Sequence, residues 1–115
     1  MQFPEGFVEK YKEILGDEAR DFLASFEEEA VSAFRVNPLK EAQASFSDPI
    51  PQTLWGHYGK VSGKSPEHAT GLVYSQEPAA QMVAQVAQPS PGMKVLDLAA
   101  APGGKSTQLA AYLAG

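Results

Sequence analysis

The sequence predicts a small α+β module followed by the start of an open α/β domain. Three observations carry this. Two short amphipathic helical patterns open the chain, at residues 3–14 and 17–29. Short apolar and β-branched runs interleave with Ser, Pro and Gly through residues 31–75. From residue 77 the pattern becomes helix, apolar run, glycine turn, helix, which is the entry to a doubly wound, Rossmann-like sheet. The two parts divide the chain at 1–70 and 71–115.

The first helix is predicted from Phe3, Phe7, Tyr11 and Ile14, which recur at helical spacing. Pro4 suits a first turn and Gly16 a stop. A second helix is expected over Asp17–Glu29, with Ala19, Phe22, Leu23 and Phe26 as its apolar stripe and Glu27–Glu29 on a solvated face. Both stripes read as core packing. Val31–Val36 suits a strand, ended by Asn37-Pro38. Residues 40–70 read as loops and short strands, with Trp55 and Tyr58 more suited to packing than to stacking on bases, and His57 structural or exposed. Leu72-Val73-Tyr74 suits another strand. A helix is expected over Glu77–Gln88, with Ser75 as a candidate N-cap, Pro78 in the first turn, and Gln76 and Glu77 capping a helix. Lys94–Leu98 has the composition of a buried parallel strand, and Lys105–Leu113 that of a helix with Leu109, Ala110, Tyr112 and Leu113 on its apolar side. A lone parallel strand with one crossover helix cannot cover both of its faces, so the 115 residues are expected to be the truncated front of a longer protein.

Composition narrows the chemistry. No apolar run approaches the roughly 20 residues that a membrane-crossing helix needs, and residues 1–15 lack the apolar centre of a signal peptide. A cytoplasmic location without membrane partners is expected. The absence of cysteine removes disulfides, thiolate zinc sites and thiol nucleophiles from these residues. Two isolated histidines suggest no metal site. The net charge of −5 sits in the first helices. Residues 1–30 hold nine acids against three bases, net −6, and residues 31–115 five acids against six bases, net +1. The later part is therefore neutral enough to face a phosphate backbone.

The segment from Val95 to Thr107 carries the candidate chemistry. Gly104, Lys105 and Ser106 fit the second half of a phosphate-binding P-loop. Ala99 stands where that motif needs its first glycine, Pro102 removes a backbone donor, and Asp97 would sit against phosphate charge. A sulfonium cofactor with an ammonium and a carboxylate fits better. Asp97 suits the ammonium, Ala99, Ala100, Ala101, Pro102, Gly103 and Gly104 let backbone come close, and the helix start at Lys105 can receive the carboxylate. An ordinary strand-to-helix turn explains the glycine pair but not the acid and the proline around it.

The string Asp97-Leu98-Ala99-Ala100-Ala101-Pro102-Gly103-Gly104-Lys105-Ser106 resembles the cofactor motif D-x-C-A-A-P-G-G-K-[ST] of the Nop/Sun family of RNA cytosine-5 methyltransferases, bacterial RsmF type. Ala99 replaces the usual cysteine, which is not that family's nucleophile. Phe34–Lys40 is similar to the family's R-x-N-T-L-K segment, with Pro38 in place of threonine, and Gly71–Pro78 to its G-x-[YF]-x-Q-[ED]-P segment. The resemblance implies a class I methyltransferase domain, S-adenosyl-L-methionine as cofactor held by residues 97 and 99–105, and RNA, above all ribosomal RNA, as partner. It implies that Arg35 and Lys40 contact RNA phosphates, with ordinary surface charge or a fold-stabilising hydrogen bond as the alternative for both, and that residues 1–70 are of RNA-recognition type. Gln76 and Glu77, expected to cap a helix, have an indirect part in shaping the cofactor pocket. It implies covalent catalysis by downstream cysteines that raise the nucleophilicity of cytosine C5, on an unstacked base. No catalytic residue is therefore assigned within these residues, and the 115 residues alone are expected to transfer no methyl group. A P-loop nucleotide-binding protein and a non-catalytic RNA-binding module remain the alternatives. Pro-Cys and Thr-Cys segments downstream would favour the enzyme.

Overall fold

The computed structural model describes residues 2–40 and 45–114. Residues 41–44, part of the expected loop region, lie outside the described residues. The chain forms two compact units, Met1–Ala30 and Val31–Gly115.

The first unit is a helical hairpin. Helix α1 (Phe7–Leu15) is closed at both ends by glycine, with φ 77° at Gly6 and 55° at Gly16. A 3₁₀ turn leads into α2 (Ala19–Ala24), and a second 3₁₀ turn ends it. The helix expected over Asp17–Glu29 is thus shorter. Ser25 Oγ donates to Phe22 O at 2.6 Å, a local bond that competes with the helical ladder, and Glu28 is extended. The aromatic stripes do pack together. Phe7 stacks on Phe3 at 5.1 Å and lies 4.5 Å from Tyr11, while Phe22 and Phe26 meet Phe7 and each other. Ile14, expected in the stripe, is 62% exposed.

The second unit is built on a three-stranded antiparallel sheet of order β2-β1-β3, with β1 Ala33–Val36, β2 Gly56–Tyr58 and β3 Val73–Ser75. Arg35 on the central strand faces Gly56 on one side and Tyr74 on the other. The boundary expected at residue 70 therefore falls inside this unit, between two strands that pair. His57 stacks on Phe34 at 5.5 Å, which makes it structural. A short helix α3 (Pro66–Ala69), capped by Ser65, precedes β3.

Helix α4 (Pro78–Ala87) is capped by Glu77 and not by Ser75. The Glu77 carboxylate accepts from Ala80 N at 2.5 Å and Ala79 N at 3.3 Å, and Pro78 supplies the first helical residue. Helix α5 (Gly104–Leu113) packs on α4 through amides: Gln108 Nε2 donates to the Gln81 carbonyl at 2.8 Å, and Gln81 Nε2 donates to Gln76 O at 2.9 Å. Its buried positions are Gln108 and Ala111, whereas Ala110, expected on the apolar side, is exposed. Trp55 and Tyr112 pack ring on ring at 4.9 Å. No helix among the described residues is long and apolar enough to cross a membrane.

One expected element is not formed. Residues 93–97 lie outside any regular element and pair with no strand among the described residues, so Lys94–Leu98 is not a strand. A β-strand is defined by its neighbours' hydrogen bonds, and the sheet of this unit does not extend to it. Leu96 and Leu98 are accordingly 81% and 91% exposed.

Candidate cofactor loop

The glycine turn lies where the sequence places it. After Asp97 the chain turns through Ala99–Gly103 and enters α5 at Gly104, one residue before the expected start. Asp97 holds the turn by both oxygens. Oδ1 accepts from Ala99 N at 2.8 Å and Oδ2 from Ser106 Oγ at 2.7 Å. These two bonds, with a smaller contribution from Lys105, hold its carboxyl below the usual aspartate range, so it is ionised at neutral pH. The carboxylate stays accessible, and with two lone pairs per oxygen it can accept a further donor.

Gly103 caps α5 with φ 122° and no side-chain bond. The N–H groups of Gly104, Lys105 and Ser106 begin the helix without an intrahelical acceptor, which leaves a donor cluster at its positive end. Gly104 is closely approached from the other side. A Cβ there would stand 3.0 Å from Gln76 Nε2 and 3.6 Å from Tyr74 Cε1. The side chains of Tyr74 and Gln76 thus pack against the backbone at the start of α5.

Between them lies a cavity of about 220 Å³, walled by Ala99, Ala101, Pro102, Gly104 and Lys105 on one side and by Tyr74, Gln76, Glu77 and Ala80 among others on the opposite side. Small ligands usually occupy about 300–1,000 Å³, so this space has room for only one end of such a ligand. Its walls on the loop side are alanine, proline and glycine beside an open helix start, and Asp97 lies in the same turn without lining the cavity. Ala100, beside this wall in sequence, is exposed.

The two residues expected to contact RNA have different surroundings. Lys40 is exposed, and its Nζ donates to Thr70 O at 2.7 Å. Arg35 is only 4% exposed, so the expected surface contact with a phosphate is not where its guanidinium lies. Its Nε donates to Gln76 Oε1 at 3.2 Å, and one terminal nitrogen donates to Gly104 O at 3.2 Å and Thr107 Oγ1 at 2.8 Å. The guanidinium also lies over the Tyr74 ring, 5.3 Å from its centre. Burial pushes its pKa down, against an opposing pull from Tyr74. Sequence reasoning missed this cluster and missed Ser106 as the partner of Asp97. The Ser/Thr position that closes the loop motif was the available signal for Ser106. No group of side chains suited to a metal ion occurs among the described residues.

Residues 3–78 match the family described as the N-terminal domain of 16S rRNA methyltransferase RsmF, and the chain belongs to that family. Among its relatives, the chain is 33% identical over 120 residues to the tRNA (cytosine(49)-C(5))-methyltransferase of Pyrococcus abyssi, covering 92% of this chain and 38% of that protein. It is 33% identical over 133 residues to ribosomal RNA small subunit methyltransferase F of Vibrio campbellii, covering 98% and 28%. The crystal structure of a methyltransferase homologue from Pyrococcus horikoshii superposes with a TM-score of 0.68 at 29% identity, over 96% of this chain and 41% of that one. The chain therefore spans between 28% and 41% of the length of these proteins.

Proposed function

We propose that this chain is the front part of an S-adenosylmethionine-dependent methyltransferase that modifies C5 of cytosine in RNA, with ribosomal RNA as the substrate class. The observation that carries the reading is the loop: an ionised Asp97 that anchors the turn into an uncapped helix start, next to a cavity walled by Ala99, Ala101, Pro102 and Gly104. Asp97 would hold the ammonium end of the cofactor. The N–H groups of Gly104 and Lys105 would hold its carboxylate. Ala99, Ala100, Ala101, Pro102 and Gly103 would keep the approach clear. When bound, the cofactor supplies a methyl group on a positively charged sulfur. The chain's own residues orient that group and leave the covalent chemistry to cysteines, of which this chain has none.

In the same reading residues 1–70 supply the RNA-facing part and residues 71–115 lead into the Rossmann-like cofactor domain, with β3 completing the antiparallel sheet before that domain begins. Val95, Leu96 and Leu98 would then be the first parallel strand of that domain, paired once its neighbours are present. Lys40, exposed beside Thr70, would remain available to a phosphate. The enzyme would work in the cytoplasm, as its substrate requires.

Calorimetry on the full-length protein tests the ligand. S-adenosylhomocysteine should bind and Mg-ATP should not. Tighter binding of Mg-ATP would reverse the assignment in favour of a P-loop.

A further inference from the structure

We propose that Arg35 is a positioning residue for the cofactor loop, acting from the central strand of the sheet. This rests on the cofactor-loop reading above and adds a residue to it.

Arg35 is nearly fully buried, yet among the described residues its guanidinium meets only neutral acceptors: Gln76 Oε1, Gly104 O and Thr107 Oγ1. Buried charges are ordinarily paired with an opposite charge. This one also sits against the first turn of α5, where the helix dipole already disfavours a cation. Packing alone is a poor reason for such a placement, since an apolar side chain would fill the same strand position at lower cost.

The three acceptors explain the placement. Gln76 and Gly104 both line the cavity at the loop, on opposite walls. Thr107 is one turn into α5 and itself donates to the Gly103 carbonyl at 2.7 Å. A single rigid fork on β1 therefore fixes the distance between the two walls and the pitch of the helix whose N–H groups face the ligand. Tyr74, paired with Arg35 across β1 and β3, holds the guanidinium plane from the other side. The residual positive charge behind the helix start adds to the potential that a ligand carboxylate would meet.

The test compares Arg35→Lys, Arg35→Met and Thr107→Val in the full-length protein. The readouts are S-adenosylhomocysteine affinity by calorimetry, KM for cofactor and for RNA, and the unfolding midpoint. Lysine keeps the charge but cannot span three acceptors, so affinity should fall about tenfold, with methionine lower still. Thr107→Val lies at an exposed position, leaves Arg35 in place and removes one acceptor. It should cost about threefold. The KM for RNA should stay within about twofold in all three. Unchanged cofactor affinity in Arg35→Lys and Thr107→Val, with only a lower midpoint, overturns the inference and leaves Arg35 a packing residue. A raised KM for RNA with unchanged cofactor affinity overturns it in favour of a direct RNA contact. A wild type that binds no S-adenosylhomocysteine overturns the loop reading itself, and this inference with it.

Discussion

Replacing Gly103 with alanine tests whether the loop is held in the conformation described. Gly103 has φ 122° and ψ 3°, a region that L-residues rarely adopt. A Cβ built there meets nothing nearer than 3.9 Å, at Thr107 Cγ2 and Tyr74 Oη. Collision therefore contributes little, and the cost is conformational. A non-glycine residue in such a region costs about 1–3 kcal/mol. Alanine returns about 0.4–1 kcal/mol by narrowing the unfolded ensemble. The net loss of about 1 kcal/mol should lower the unfolding midpoint by roughly 4–8 °C in a unit of this size. Thermal unfolding followed by Trp55 fluorescence reads it directly, because Trp55 packs on Tyr112 of α5. Gly104→Ala is the control. Its cost is steric, from the 3.0 Å approach to Gln76 Nε2, and a side-chain shift can relieve it. A Gly103→Ala midpoint equal to or above the wild type would refute the strained-cap account.

Two further changes should stabilise. Gln88 ends α4 with φ 42°, so Gln88→Gly should raise the urea midpoint by an amount equivalent to about 0.5–1 kcal/mol; a lower midpoint would mean that the Gln88 side chain contributes more than its backbone costs. The Tyr112 hydroxyl is buried without a hydrogen-bond partner among the described residues, and burial pushes its pKa up. Tyr112→Phe should therefore be neutral or stabilising by up to about 1 kcal/mol in the same assay, and a clear loss would reveal a partner for that hydroxyl.

Much of the local structure was legible because its determinants are local. Gly16 stops α1, Pro78 opens α4 and the glycine pair opens α5, each through backbone constraints that act within a few residues. The aromatic stripes of the first unit were readable for the same reason. What the sequence hid depends on partners far along the chain. Arg35 reads as an RNA contact, a surface cation or a fold-stabilising donor alike until β1 is known to lie between β2 and β3, which places the side chain among Tyr74, Gln76 and Thr107 and selects the last of these. The buried face of α5 follows Gln108 because the Gln81 carbonyl on α4 receives it, a pairing that no apolar period signals. Lys94–Leu98 has strand composition, but composition cannot supply neighbours. In the candidate site, Asp97, Gly103 and Gly104 were evident from motif chemistry, and Gln76 and Glu77 were expected near the pocket, whereas the part of Tyr74 in its wall was not.

The most direct test of the central claim compares Asp97→Asn with Lys105→Ala for S-adenosylhomocysteine binding by the full-length protein. Asparagine keeps the acceptor for Ala99 N, and the Ser106 hydroxyl can rotate to accept from the new amide, so the turn is retained while the charge is lost. The account predicts a loss of about ten- to a hundredfold for Asp97→Asn, and a smaller loss for Lys105→Ala, because the helix start acts through backbone N–H groups. Binding that tolerates Asp97→Asn but collapses on Lys105→Ala would contradict it and identify the loop as a phosphate cradle.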